Sequence, residues 1–307
     1  MTLRAWLAPL TLFALAVIAA TITRRLAERR PAGRRFFRHP PAEASVGILV
    51  FFVALAVAAP LVAPYHPDRQ LDIVGLQHVA PSWDHPLGTD LYSRDVWSRL
   101  AFGTRISLAI GALATLVAVT LGTLVGAAAG YARRLDAVLM RVVDVGLAMP
   151  RLFILLVIVA LWDRLPLPVL ILAIGLTTWF ATSRLVRADV LRLRELAFVE
   201  AARAGGAGSV RVVLRHVLPN AAAPVIVSAA VGLGNVLLLE AGLSFLGIGV
   251  RPPTPSWGNM IAEGAHHVTS APWATVFPGL AIALVVMATN AVGDALRDAF
   301  DPRAEVP

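Results

Sequence analysis

The sequence predicts an all-α protein that crosses a membrane several times. Of its 307 residues, 58% are hydrophobic and only 15% are charged, whereas soluble proteins average about 25% charged residues. The hydrophobic residues form separate runs long enough to cross a bilayer as helices, and arginines flank these runs. A helix pairs its own backbone N–H and C=O groups, so it is the element that such runs favour in lipid.

Two absences from the composition exclude several kinds of chemistry. All 27 basic residues are arginine, so the chain has neither a Walker A lysine nor a Schiff-base lysine. There is no cysteine, which excludes thiol catalysis, disulfides and thiolate metal sites. The net charge of +8 could indicate nucleic acid, but the arginines cluster beside apolar runs. We therefore interpret the charge as membrane topology, with lipid and no nucleic acid as a partner.

The N-terminal 44 residues combine an apolar run with a strongly basic segment. Residues 6–22 are apolar, and seven arginines follow in residues 24–38, against only Arg4 before the run. This bias predicts an extra hydrophobic helix whose arginine-rich end is cytoplasmic, and it is opposite to that of a secretory signal. An interfacial helix and a wrongly chosen start codon are the alternatives for residues 1–44.

A transmembrane helix over 45–64 and a polar external segment over 65–103 are predicted next. The acids and histidine of the external segment include Asp84, His85, Asp90 and Asp95, which could be considered as metal ligands. They lack a fixed helical spacing, so a solvated loop that packs against the next helix is favoured and no metal site is expected.

Residues 104–303 are predicted to contain five further helices. Apolar runs occupy 106–130, 142–162, 169–182, 221–245 and 278–292, with a loop over 184–220 and an external loop over 247–276. In the first run Gly122 and Gly126 form a GxxxG pair, the pattern of close helix packing in membranes. The tryptophans at 162, 179, 257 and 273 are expected at the membrane interfaces.

The loop at 184–220 contains a short helix that cannot lie in hydrocarbon. Residues 195–220 read ELAFVEAARAGGAGSVRVVLRHVLPN, and each of their charges would cost roughly 3 kcal/mol at the bilayer centre. Residues 196–204 are good helix formers, and Gly205 and Gly206 are expected to end that helix. A short helix followed by a glycine break predicts a docking element, although an amphipathic loop without a partner is the alternative.

Several motifs resemble one protein family in their order and spacing. Glu200-Ala201-Ala202, Gly206 and HVLPN at 216–220 resemble the EAA loop of ABC importer permeases, in the dipeptide, oligopeptide and nickel branch of that family. HPLGTDLYSRD at 85–95 and EAGLSFLGIGVRPPTPSWG at 240–258 resemble the same branch. The resemblance covers residues 45–303. One departure is Ser93, which stands where the family usually has glycine.

The resemblance implies a six-helix ABC importer permease core, here with an extra N-terminal helix. It implies a transport subunit that is not an enzyme and binds no cofactor itself, with ATP and Mg on partner subunits. The implied partners are two ATP-binding subunits, a second homologous permease and an external solute-binding protein. The implied location is the bacterial cytoplasmic (inner) membrane, with several spans and a cytoplasmic C-terminus. On this assignment nineteen of the twenty-seven arginines are cytoplasmic.

The resemblance also implies functional residues and a cargo. The residues implied to couple the chain to the ATPase are Glu200, Ala201, Ala202, Arg203, Gly206, Leu218 and Pro219. The chain would form half of a pathway for di- or oligopeptides, with nickel chelates, glutathione and opines as alternatives. An ion-driven secondary transporter is a further alternative, but it would need midplane acids and inverted repeats.

One apolar run carries the candidates for a gate or pathway: Asn235, Glu240 and Ser244. An ionisable group in such a run marks a functional site by default, and for Glu240 a structural hydrogen bond near an outer gate is favoured over cargo contact. The GLSFLG sequence around Ser244 invites comparison with a GxSxG nucleophile elbow. Its second glycine comes one residue late and no strand precedes it, so a catalytic serine is disfavoured.

Overall fold

The computed structural model describes residues 2–162 and 165–300, and the predicted all-α fold is confirmed. No β-strand occurs among these residues, and the short turn at 163–164 and the predicted core end at 303 lie outside them. The helices in chain order are α1 Thr2–Ala27, α2 Pro31–Arg38, α3 Ala42–Val62, α4 Val96–Tyr131, α5 Arg133–Ala148, α6 Arg151–Ala160, α7 Leu167–Leu193, α8 Ala197–Ala204, α9 Ser209–Val212, α10 Leu218–Asn220, α11 Ala222–Phe245, α12 Trp257–Ala265 and α13 Trp273–Phe300, with a π turn Val213–Val217 between α9 and α10.

Six of these helices are long and apolar enough to cross a bilayer. They are α1 over Pro9–Ala27, α3, α4, α7, α11 and α13, and the bent pair α5–α6 adds a seventh if it counts as one span. The predicted polytopic membrane fold, including its N-terminal apolar helix, is therefore confirmed. α4 is 36 residues long and begins ten residues before the predicted apolar run, in the polar segment.

The chain divides into two compact units, and the first comprises Met1–Ala112 and Leu233–Ala295. α1 packs along α3 in this unit, where the rings of Phe13 and Phe51 meet edge to face at 6.2 Å. Trp257 was predicted at the membrane interface, and this is wrong because its side chain is fully buried in the core against Phe52. The indole is at the first turn of α12, whose capping box of Ser256 and Asn259 turns it inward.

The second unit comprises Leu113–Gly232 and Leu296–Pro307. The prediction of one continuous span at 142–162 is wrong, because α5 and α6 meet at a bend of 86°. Pro150 explains the break: proline disfavours helical backbone in the residue before it, and Met149 is extended with ψ of 132°. A bidentate ion pair between Arg187 and Asp136, with contacts of 2.5 and 2.6 Å, holds α5 against α7.

α4 and α7 approach closely along small residues. A Cβ added at Gly122 would lie 2.7 Å from the Cβ of Thr182, and one at Gly126 would lie 2.5 Å from the carbonyl oxygen of Ser183. Both distances are shorter than any packing allows, so larger residues at these positions would force the helices apart. The expectation that Trp179 lies at the interface is wrong, because its side chain is buried beside Phe180.

Candidate functional site

α8 is a two-turn helix that ends in a Schellman motif. The N–H of Gly206 donates to the carbonyl of Arg203 at 3.0 Å, and the N–H of Ala207 donates to the carbonyl of Ala202 at 3.1 Å. Gly206 has φ of +81°, the left-handed conformation that this motif requires and that glycine adopts without a steric penalty. The second glycine of the sequence break therefore stops the helix, and the first, Gly205, is its C-cap.

The inner face of α8 is held by a small apolar cluster within the second unit. Val199 is fully buried there with Val190, Val212 and Val217, and Ala202 and Ala207 pack against the cluster. Ala202 and Ala207 occupy the two positions whose apolar side chains commonly accompany a Schellman motif. α8 packs against α7 and α9 through this cluster, which holds it in a fixed position. On its own, an eight-residue helix such as α8 is too short to be stable in water.

The outer face of α8 is exposed. It presents Glu200, Ala201 and Ala204 together with two large apolar side chains at its start, Leu196 at 40% and Phe198 at 39% exposure. The carboxylate of Glu200 forms no hydrogen bond or ion pair with any residue that the structure describes. An apolar rim with an unpaired carboxylate is a surface that a partner could cover.

Arg203 is also exposed, and its side chain contacts the end of another helix. Its guanidinium lies over the ring of Tyr131, 5.1 Å from the centroid, and Nε donates to the tyrosine hydroxyl at 3.3 Å. Tyr131 is the last residue of α4, so this cation–π contact fixes α8 to the end of a long helix. Arg203 therefore supports α8 from an exposed position, and Glu200 and Ala201 are accessible on the same helix.

The HVLPN sequence builds the π turn that leads into α11. The N–H of Leu218 donates to the carbonyl of Val213, five residues earlier, which is the wider π pattern. Pro219 explains it, because a proline ring clashes with the carbonyl four residues earlier in a regular α-helix. Asn220 closes the turn by donating from its amide to the carbonyl of His216 at 2.6 Å. Leu218 packs against the apolar cluster and Pro219 is exposed.

Glu240 and Ser244 face the interior of the first unit, one turn apart on α11. Ser244 donates its hydroxyl to Glu240 Oε1 at 2.7 Å and accepts from the backbone N–H of Val250 at 2.9 Å. Ser107 on α4 donates to the other carboxylate oxygen at 3.3 Å. These contacts match a structural role for the carboxylate, and they leave Ser244 hydrogen-bonded to a carboxylate where a nucleophile would need a histidine. Asn235 is exposed on a different face of α11, so the structure does not bring the three candidates together.

The segment at 84–95 packs against the next helix as expected, but the expectation that it is solvated is wrong for three of its four candidates: Asp84 is exposed, whereas His85, Asp90 and Asp95 are buried. Asp90 belongs to a buried ion network. Arg94 and Arg99 each contact both Asp90 Oδ2 and Glu263 Oε2, at distances from 2.5 to 2.9 Å. Three of these four side chains are at most about a tenth exposed. The network fixes the external segment to α12 and to the first turn of α4.

A second buried pair supports the same segment. Asp95 accepts from Ser98 N–H and Oγ at 2.8 and 2.7 Å, and its other oxygen lies 3.0 Å from His85 Nδ1. Asp95 thus caps α4, and these acids are engaged with protein donors. Sequence reasoning missed Arg94, Arg99 and Glu263, although two arginines and a lone acid beside apolar helices are a signal of buried pairing.

Ser93 adopts a backbone conformation that favours glycine. Its φ is +57°, its side chain is fully buried, and its hydroxyl has no hydrogen-bond partner among the described residues. A non-glycine residue in this region costs roughly 1–2 kcal/mol. The departure noted in the sequence therefore falls at a strained turn inside the ion network.

These features define a multi-span helical membrane protein with an exposed, glycine-terminated short helix between two apolar helices. Residues 118–306 match the family model described as the binding-protein-dependent transport system inner membrane component. Residues 30–81 match the N-terminal transmembrane domain of oligopeptide transport permease C. The chain belongs to the family of binding-protein-dependent transport system inner membrane components.

Individual relatives resemble the chain over most of its length. A putative peptide permease protein of Brucella suis is 39% identical over 283 residues, which cover 90% of this chain and 91% of that protein. A dipeptide transport system permease protein of Alkalihalophilus pseudofirmus is 38% identical over 268 residues, covering 85% and 86%. A putative peptide transport system permease protein of Brucella abortus is 38% identical over 276 residues, covering 89% and 91%.

Proposed function

We propose that the chain is the permease subunit of an ATP-driven peptide importer and that α8 is its coupling helix. The observation that carries this proposal is the build of α8: its inner face is docked, its end is locked by Gly206, and its outer face is exposed. A partner that presses on such a helix moves a fixed body and not a flexible loop. The printed names of the relatives, which concern peptides and dipeptides, support the cargo.

The partners follow from what the chain lacks. Without lysine it has no Walker A motif, so the ATP and Mg of the transport cycle would be bound by two partner subunits seated on α8. A second homologous permease would complete the pathway, and an external solute-binding protein would deliver the peptide. Nucleotide-driven closure of the partners would push α8 and switch the pathway from inward-open to outward-open.

Within α8 and its surroundings the proposed coupling residues divide into two groups. Glu200 and Ala201 would contact the partner, because they are exposed on the outer face. Ala202, Arg203, Gly206, Leu218 and Pro219 would act indirectly, since they hold the helix in place or shape the turn that follows it. Asn235, exposed on α11, is the residue that we propose for the pathway, while Glu240 and Ser244 support that helix from inside.

The sequence places this docking surface on the cytoplasmic side, together with the C-terminus. Seven arginines lie between residues 184 and 215, which favours that side by the positive-inside rule. The charged network at residues 90–99 would then be external, at the end of α4 where the binding protein docks.

Two glycines two positions apart in sequence, Gly206 and Gly208, offer a matched test. Gly206→Val puts a β-branched residue at φ of +81°, which should unwind the end of α8. Gly208→Ala is the control, because Gly208 has φ of −64° and a Cβ there meets nothing within 4 Å. In proteoliposomes containing the complete importer, we expect Gly206→Val to lower peptide uptake about tenfold, in line with a loss of 1–2 kcal/mol at the docking helix. Gly208→Ala should transport like the parent.

Two measurements separate coupling from cargo. Co-purification of the ATP-binding subunits and binding-protein-stimulated ATP hydrolysis report coupling, while mass spectrometry of the accumulated solutes reports cargo. Equal uptake by both glycine variants would overturn the coupling role of α8. Uptake of nickel chelates, glutathione or opines in place of peptides would overturn the cargo and leave the coupling role standing.

A further inference from the structure

The segment between α1 and α3 is a basic surface at the end of two apolar helices. Together with the adjoining ends of these two helices, residues 24–43, it contains seven arginines at positions 24, 25, 29, 30, 34, 35 and 38 and only two acids, Glu28 and Glu43. Both glutamates pair with Arg24, at 2.8 and 2.5 Å. Arg25, Arg29, Arg30, Arg34 and Arg38 are exposed and form no ion pair with the described residues. Call this surface, residues 24–38, the arginine patch.

The helix α2 within the arginine patch is amphipathic. On a helical wheel Arg34, Arg35 and Arg38 fall within about 100°, and Ala32, Gly33, Phe36 and Phe37 occupy the opposite side. None of its residues is buried, yet Phe36 and Phe37 are half-covered and meet edge to face with centroids 4.8 Å apart. A helix of this kind favours the boundary between head groups and acyl chains, with its aromatic side toward the hydrocarbon.

The turn between α1 and α2 fixes where this helix lies. Gly33 sits directly against the backbone carbonyl of Ala27, so that a Cβ at this position would clash with it. Pro31 starts α2 with φ preset for a helix, and Arg30 before it is extended. α1 and α3 pack along each other, α1 ends at Ala27 and α3 begins at Ala42, so α2 connects the ends of two apolar helices.

We propose that the arginine patch binds the head groups of anionic phospholipids. Guanidinium groups bind phosphate oxygens through paired hydrogen bonds, and clusters of four to eight basic residues next to a span attract anionic lipid. A role in membrane orientation alone needs the charges but not the amphipathic helix, the edge-to-face phenylalanines or the glycine that fixes the turn. A protein partner is a poorer fit, because α2 joins the ends of two apolar helices, α1 and α3. The proposed orientation of the chain decides only which leaflet supplies the lipid.

The test uses the full chain in nanodiscs of phosphatidylcholine mixed with phosphatidylglycerol. The quadruple variant Arg29→Gln, Arg30→Gln, Arg34→Gln, Arg38→Gln removes four exposed charges of the patch. Its matched control, Arg134→Gln, Arg141→Gln, Arg211→Gln, Arg215→Gln, removes four exposed arginines elsewhere, so that net charge changes equally. Lipids retained by the intact protein are counted by mass spectrometry at low and high salt.

We expect the patch variant to lose about tenfold in its preference for phosphatidylglycerol, and the control to keep it. A third variant with lysine at the same four positions should keep most of the preference, and thermal unfolding in detergent verifies that each variant is folded. Equal loss in the patch variant and the control, or no loss in either, would overturn the proposal. An unchanged lipid preference combined with lost co-purification of the ATP-binding subunits would assign the patch to a protein partner and would overturn it as well.

Discussion

Helix α8 and the segment at 84–99 use charged residues in opposite ways. In α8, Glu200 and Arg203 are both exposed, and Arg203 contacts an aromatic ring and not a carboxylate. In the segment at 84–99, Arg94 and Arg99 are buried, and each pairs with both Asp90 and Glu263. Exposed charges are available to a partner and contribute little to folding, whereas buried ones fix structure and are costly to separate. The proposed docking surface of α8 therefore differs in role from the buried ion network of Asp90, Arg94, Arg99 and Glu263, called the clamp below, which fixes structure.

The largest effect should come from breaking the clamp. Arg99→Met removes a nearly fully buried guanidinium and leaves Asp90 and Glu263 with one arginine between them. We expect a destabilisation of about 3–5 kcal/mol, because an uncompensated buried charge remains. Thermal unfolding of the detergent-solubilised chain measures it. Arg211→Met is the matched exposed control, and its effect should stay within about 0.5 kcal/mol. Similar unfolding temperatures for the two variants would show that the network does not hold the external segment.

A smaller effect, of opposite sign, is expected at the turn inside the clamp. Ser93→Gly relieves the positive φ and removes an unpaired buried hydroxyl, which should stabilise the chain by about 1 kcal/mol. Ser93→Ala removes the hydroxyl but keeps the strained backbone, so comparison of the two variants in the same unfolding assay isolates the backbone contribution. If the alanine variant is as stable as the glycine variant, the left-handed conformation is not the source of the gain.

The support under the docking helix should have a modest effect on stability. Tyr131→Leu keeps an apolar side chain but removes the ring and hydroxyl that Arg203 contacts. We expect a loss of about 0.5–1 kcal/mol, measured as reduced amide-exchange protection in residues 197–204. Protection at α12 serves as the internal reference and should not change. Uniform loss across both helices would mean that the contact stabilises the whole chain and not α8 in particular.

The substitution Glu200→Gln should have the smallest effect on stability but a clear effect on transport. Glu200→Gln changes an exposed carboxylate to an amide of the same shape, so the unfolding temperature should stay the same. Binding-protein-stimulated ATP hydrolysis in the assembled importer should fall, because the carboxylate is available to a cationic group of the partner. Unchanged hydrolysis would remove Glu200 from the proposed contact while leaving the apolar rim of α8 as the remaining candidate.

The local features of the docking helix were predictable from the sequence, and those of the clamp were not. Helix formers at 196–204 and the glycines after them predict the bounds of α8 to within one residue, because the residues that start and stop a helix lie at its own ends in the sequence. The network joins Asp90 to Glu263 across more than 170 positions, and no periodicity links two such distant charges. Sequence reasoning therefore treated buried charges as solvated ones.

Two other errors have the same origin. Trp257 and Trp179 were expected at the interface because amphipathic rings favour it, yet tertiary packing covers both. The break at Pro150 is different, since proline in an apolar run is itself a local signal, and the length of the run outweighed it in the prediction. Local chemistry predicts where helices end, while their burial depends on neighbours that the sequence does not identify.

The π turn before α11 has a consequence for how many residues this stretch must contain. Val212 and Val217 are five positions apart and both fully buried, whereas in a regular α-helix that spacing would point them about 140° apart. The wider turn brings both to the same side, and it also gives the ring of Pro219 the room that it needs. Deletion of one residue from this stretch would therefore remove either the space for Pro219 or the alignment of Val212 with Val217.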